Sequence, residues 1–140
     1  MDKTKQPGII FSSIMLIEEK FNRAPDVSGK LAHKLDFEYS YSTENLNSFL
    51  SINYILENEK EEQVLSLHAK FVANFKINSE HSNMSVNSFL EHNAAALMFP
   101  YLREHVSRIT SNAGIPGFNI PPINVYAFIE NKKKWFKHIE

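Results

Sequence analysis

The chain has 140 residues, no cysteine and nearly balanced charge, with a formal net charge of −1 at pH 7. The length suits a single domain with its own core, while the charge balance excludes a face built to neutralise nucleic-acid phosphates. The lack of cysteine excludes disulfides and thiolate sites, and 11 Phe with 5 Tyr supply too much apolar area for a disordered chain.

Residues 1–8 are polar and charged, with no apolar leader or small-residue cleavage site behind them. The apolar run 9–17 holds two serines and meets Glu18 and Glu19, too short to span a bilayer. A cytoplasmic protein without membrane insertion is expected. Residues 9–21 read as a strand with Phe11, Met15 and Ile17 on one face and Ile10, Ile14 and Leu16 on the other. Apolar on both sides, it belongs inside a sheet or at a subunit contact. Ala24-Pro25-Asp26 opens a turn region ending near Gly29. Residues 31–42 then alternate, with Leu31, His33, Leu35, Phe37, Tyr39 and Tyr41 on the inward face. Residues 46–56 turn Leu46, Leu50, Ile52, Tyr54 and Leu56 inward. After a charged turn at 57–62, residues 64–77 place Leu65, Leu67, Ala69, Phe71, Ala73, Phe75 and Ile77 on one side. A period of two with one polar face marks antiparallel strands, and the short connections suggest a meander.

Beyond a polar linker at 79–85 the period changes. Ala94, Leu97, Met98, Tyr101, Leu102, His105 and Ile109 follow helical spacing, and the helix 93–112 is too apolar around 94–99 to be covered by one sheet. Pro100 should bend or split it, and Gly114 supplies a stop. Residues 115–123 are extended and proline-rich. Asn124 can cap a last helix whose stripe is Val125, Phe128, Ile129, Trp135 or Phe136, and Ile139. The fold class is therefore α+β, one domain over 1–140, with strands at 9–77 and a helical half at 86–138.

Catalytic chemistry finds no foothold. The six histidines are scattered, there is no glycine loop for phosphate or nucleophile elbow, and Glu18 and Glu19 point to opposite faces of a strand. The expectation is a protein without enzymatic activity, cofactor or metal.

Phe99-Pro100-Tyr101-Leu102-Arg103-Glu104, then Ile115-Pro116, then Ile120-Pro121-Pro122-Ile123-Asn124 form an ordered series. It resembles the signature of the SecB protein-export chaperones. Phe21-Asn22-Arg23-Ala24-Pro25 is similar to the end of that family's first strand. The resemblance covers roughly residues 9–130. It implies a four-stranded antiparallel sheet with a long and a shorter helix, assembled as a homotetramer, a dimer of dimers. It also implies an ATP-independent holdase that keeps unfolded polypeptides in apolar grooves, for export through the translocon motor ATPase or for a dedicated client such as an antitoxin. Glu18 falls at one acidic motor-docking position of the family, whereas Asn22 or Arg23 stands where another acid is expected. The connection 26–30 is short and lacks the family's tryptophan, and a lysine-rich run at 132–137 replaces its acidic tail.

The groove expected here is lined by Ile115, Phe118 and Ile120 on the extended stretch and by Val125, Phe128 and Ile129 on the last helix. Leu67, Ala69, Phe71, Leu97, Tyr101 and Arg103 are expected at contacts between copies. The competing reading is an adaptor module that binds one folded partner through a compact patch.

Overall fold

The computed structural model describes residues 8–77, 85–115, 120 and 127. Four strands, β1 (Ile9–Arg23), β2 (Ala32–Ser42), β3 (Asn47–Glu57) and β4 (Gln63–Ile77), precede two helices, α1 (Val86–His92) and α2 (Ala94–Asn112). The strands form one antiparallel sheet in the order β1-β4-β3-β2. Strands β2, β3 and β4 follow one another as a meander, while β1 lies beside β4 and not beside β2. Strands β1 and β4 are each 15 residues long, so β4 can pair β1 along its whole length. The connection 24–31 must then pass the ends of β4 and β3. At about 4.8 Å per strand this is roughly 14 Å, which eight extended residues span easily. Ala24 N–H donates to Val64 O at 2.8 Å, and Ala24, Val27 and Leu31 pack against the core on the way.

Strand β1 departs from the simple alternation expected of it. Its register with β4 shifts between Phe11 and Ser13 and again between Leu16 and Glu18. Each bulge adds one residue and reverses the phase of the residues beyond it. Phe11, Ile14, Leu16, Glu19 and Phe21 consequently pair with the inward-facing Phe75, Ala73, Phe71, Ala69 and Leu67. Ile10, Ser13, Met15, Glu18 and Lys20 pair with the outward-facing Lys76, Asn74, Val72, Lys70 and His68. Grouping Phe11 with Met15 and Ile17 was the wrong phase, because period-two counting has no means of seeing a bulge.

The core lies between the inner face of the sheet and α2. Leu50, Ile52, Tyr54 and Leu56 of β3, with Leu65, Leu67, Ala69 and Ala73 of β4, are buried under Ala94, Ala95, Met98, Leu102 and Val106 of α2. Ile77, at the strand end, is exposed. The helical half breaks at Asn93 (φ −124°, ψ −35°), and α2 runs on through Pro100. The break falls where the chain turns from α1 to α2, not at the proline. Ser85 caps α1, its Oγ accepting from Ser88 N–H at 3.1 Å. Helix α2 stops at Gly114 (φ +74°), where Ile115 N–H returns to Thr110 O at 2.9 Å. A left-handed residue there lets the chain close the last carbonyls. The expected last helix lies outside the described residues except for Ala127, which is helical and exposed.

Two local features yield tests. In the β3–β4 turn, Asn58 Oδ1 accepts from Lys60 N–H at 2.9 Å and Glu62 N–H at 3.0 Å, and Glu61 sits at φ +61°. Asn58→Ala is expected to lower the unfolding free energy by about 1–2 kcal/mol through loss of the side-chain bonds. Glu61→Gly should raise it by up to about 1 kcal/mol by relieving the left-handed backbone. Denaturant midpoints measure both. The Tyr54 hydroxyl is hydrogen-bonded to His33 Nδ1 at 2.8 Å, and burial pushes its phenol well above the usual tyrosine range. A raised phenol pKa favours the folded state only while the unfolded phenol also holds its proton. The stabilisation is therefore complete below about pH 10 and is lost as pH rises towards the folded value. Tyr54→Phe should remove part of the alkaline loss of stability seen in pH-dependent unfolding.

Candidate functional site

Helix α2 divides the inner side of the molecule into two flanks. Towards β2, Phe99 meets Phe37 edge to face with ring centroids 5.7 Å apart, and the Arg103 guanidinium lies 5.9 Å over the Phe99 ring. Arg103 Nε donates to Ile120 O at 2.9 Å, tying the chain beyond α2 back to this flank. Ile115 and Ile120 are both buried. Beside them opens a cleft of about 510 Å³, lined by Pro100, Arg103, Glu104, Ser107, Arg108, Ser111 and Ile120. Its charge is partly neutralised within one helix turn. Arg108 donates to both Glu104 carboxylate oxygens at 2.5 Å, and this bond holds the Glu104 carboxyl below the usual range. Of the groove positions expected from the sequence, Ile120 lines this cleft and Ile115 is buried in the core, while Phe118, Val125, Phe128 and Ile129 lie outside the described residues.

Towards β1, Tyr101 stacks on Phe11 with centroids 5.8 Å apart and planes 10° from parallel. One further turn along, His105 Nε2 is hydrogen-bonded to Glu19 Oε1 at 2.7 Å, and Phe71 packs edge to face on the imidazole. Leu16, Ile17 and Phe21 of β1 and Leu97 and Tyr101 of α2 are exposed, Leu97 by 45% and Tyr101 by 47%. Leu67, Ala69 and Phe71, expected at a contact between copies, are covered within one chain by the helix layer. Arg103, expected at a contact between copies, meets a carbonyl of its own chain.

On the outer face of the sheet, Glu18 approaches His68 Nε2 at 3.2 Å and Lys70 Nζ at 3.6 Å, and His68 Nδ1 is bonded to Asn53 Oδ1 at 2.9 Å. The Glu18 carboxylate is thus shared inside the sheet. Among the described residues, no cluster of His, Asp or Glu could hold a metal ion, and no helix is long and apolar enough to cross a membrane.

Sequence reasoning missed the Glu19–His105 pair, which links residues 86 positions apart. It also missed the anchoring of α1, where Tyr39 OH donates to Leu90 O at 2.5 Å and Tyr41 OH to Asn87 Oδ1 at 3.2 Å. The first had no signal in the chain. The second had one: two tyrosines in an apolar row whose hydroxyls need partners.

Comparison with known proteins fits this geometry. An uncharacterized protein of Methanocaldococcus jannaschii, MJ0357, is 34% identical over 138 residues, covering 94% of this chain and 88% of the relative. The fold is similar to that of the Mycobacterium tuberculosis SecB-like chaperone Rv1957, solved in complex with a ChAD peptide from the HigA1 antitoxin. The TM-score is 0.66 at 18% identity, over 83% of this chain and 91% of that one. The sequence profile described as "Preprotein translocase subunit SecB" matches residues 15–135, so the chain belongs to the SecB family.

Proposed function

We propose that the chain is an ATP-independent holdase that binds unfolded polypeptides through an apolar groove on the β2 flank of α2. The observation that carries this reading is family membership across nearly the whole chain, on a fold whose structural neighbour was captured holding a peptide. The groove combines Ile115 and Ile120 with Phe118, Val125, Phe128 and Ile129. No reaction is needed, because burial of apolar area supplies the affinity at about 25 cal/mol per Å². Clients would be exported proteins or one dedicated, aggregation-prone protein such as an antitoxin, met in the cytoplasm. Docking on a translocon motor ATPase would use Glu18, which would first have to release His68 and Lys70.

The working form proposed is a homotetramer, a dimer of dimers. Its support is the set of exposed apolar side chains Leu16, Ile17 and Phe21 on β1 with Leu97 and Tyr101 on α2, of the kind that contacts between copies cover. Leu67 and Phe71 are core residues of one chain, so a glutamate at either would unfold it. Replacing the exposed Ile17 and Leu97 together by Glu should instead dissociate the assembly into folded monomers. Sedimentation velocity with far-ultraviolet circular dichroism tests this, and a wild type that sediments as a monomer at micromolar concentration would refute the tetramer.

Client binding is tested by light scattering of an aggregating, unrelated protein. The double variant Phe118→Ser, Phe128→Ser should weaken protection at least tenfold, since each phenylalanine is worth roughly 1.5–3 kcal/mol of burial and 1.4 kcal/mol is a factor of ten. Equal protection by variant and wild type would place the groove elsewhere. A wild type that gives no protection would defeat the holdase reading.

A further inference from the structure

We propose that the cleft along α2 reads charge in a bound client and favours segments in which an acidic side chain stands beside apolar ones. This preference rests on the holdase reading above and names the class of client segment that the site takes. The cleft is lined by two guanidinium groups and one carboxylate. Glu104 is already engaged: Arg108 Nε and Nη2 both donate to its Oε1, at 3.1 and 2.5 Å, so that pair is neutral by itself. Arg103 is left over. Its Nε donates to the Ile120 carbonyl, a neutral acceptor, and its guanidinium lies over the Phe99 ring. Both contacts fix the direction of the guanidinium, and neither cancels its charge. Among the described residues no carboxylate comes within ion-pair distance of Arg103. The sequence offers none in the rest of α2 or in the segment that follows, since 105–129 contain no Asp or Glu.

A half-buried guanidinium held through Nε keeps its two Nη groups for a further acceptor, and a planar carboxylate matches that fork. The cleft, about 510 Å³, is far larger than a lone carboxylate fills. Pro100 and the buried Ile120 give it apolar walls, so an acidic residue on an extended segment brings apolar neighbours to them at the same time. A lysine in that place would meet Arg103 as a like charge. Discrimination is therefore by the sign of the charge, added to an apolar contribution that is indifferent to it.

The test uses fluorescence anisotropy on the full chain with three labelled peptides that share one apolar frame, Leu-Phe-Xaa-Phe-Leu, with Glu, Gln or Lys at the centre. At low salt the Glu peptide should bind about tenfold tighter than the Lys peptide and about threefold tighter than the Gln peptide. Both ratios should shrink towards ~0.5 M salt, where screening acts over only a few ångströms. Ser107→Glu gives Arg103 a carboxylate four residues along the same side of the helix, and the ratio of Glu to Gln binding within that variant should fall to one or below. Arg103→Gln should level the three peptides as well, and circular dichroism checks that each variant is folded. Lys60→Gln, in the β3–β4 turn, should leave the order intact. Free succinate should not displace the Glu peptide, and displacement would assign the cleft to a small anion instead. Equal binding of the three peptides, or tightest binding of the Lys peptide, would overturn the preference and leave the holdase reading standing. Persistence of the Glu preference in both Ser107→Glu and Arg103→Gln would overturn it too. A wild type that binds no peptide and protects no aggregating client would sink both readings together.

Discussion

The inner face of the sheet carries Leu50, Ile52, Tyr54 and Leu56 on β3 and Leu65, Leu67, Ala69 and Ala73 on β4, and α2 is laid along it. Exposed to water, that surface would remove most of the free energy that orders the chain, since each large side chain buried is worth roughly 1.5–3 kcal/mol. Met98, Leu102 and Val106 close it from above, and Ser48 Oγ donates to Met98 Sδ at 3.1 Å where a hydroxyl would otherwise be stranded. Both flanks take their geometry from this packing. With α2 seated, Tyr101 and His105 reach β1, while Phe99 and Arg103 reach towards β2 and the segment beyond the helix.

Much of this was legible in the chain because the period of the apolar residues changes once, from two to helical spacing. The inward rows of β3 and β4 came out of alternation alone, as did a long helix ending at a left-handed glycine. Connectivity was harder. Alternation says which way a side chain points but not which strand stands alongside, so the pairing of β1 with β4 could not be inferred from it. Nor could the two bulges, because an inserted residue in an apolar run is spelled like any other. Pro100 does not split the helix. A proline costs a helix one bond and a steric clash, yet packing on the sheet keeps α2 continuous through it.

The candidate site was legible in part. The run from Phe99 to Glu104 pointed to a family and to the helix centre, and the structure explains its chemistry. Phe99 fills the gap against Phe37, Arg103 caps that ring and holds Ile120, and Glu104 is engaged by Arg108. The Arg103 bond ties Ile120 to α2. Leu67, Ala69 and Phe71 were assigned to a contact between copies because an apolar strand face and an apolar contact surface have the same sequence pattern. Only burial within one chain distinguishes Leu67 from Leu97.

The irregular edge of β1 has a bearing on how readily another chain can continue the sheet. A regular edge strand offers a ladder of backbone groups that any extended chain can continue, including another copy, and such pairing propagates without limit into fibres. Strand β1 interrupts its ladder twice, beside Ser12 and beside Ile17. A bulge bends its strand and increases the local twist, so this edge departs from the flat template that stacking needs. The two extra residues thus act against runaway stacking along the free edge of the sheet.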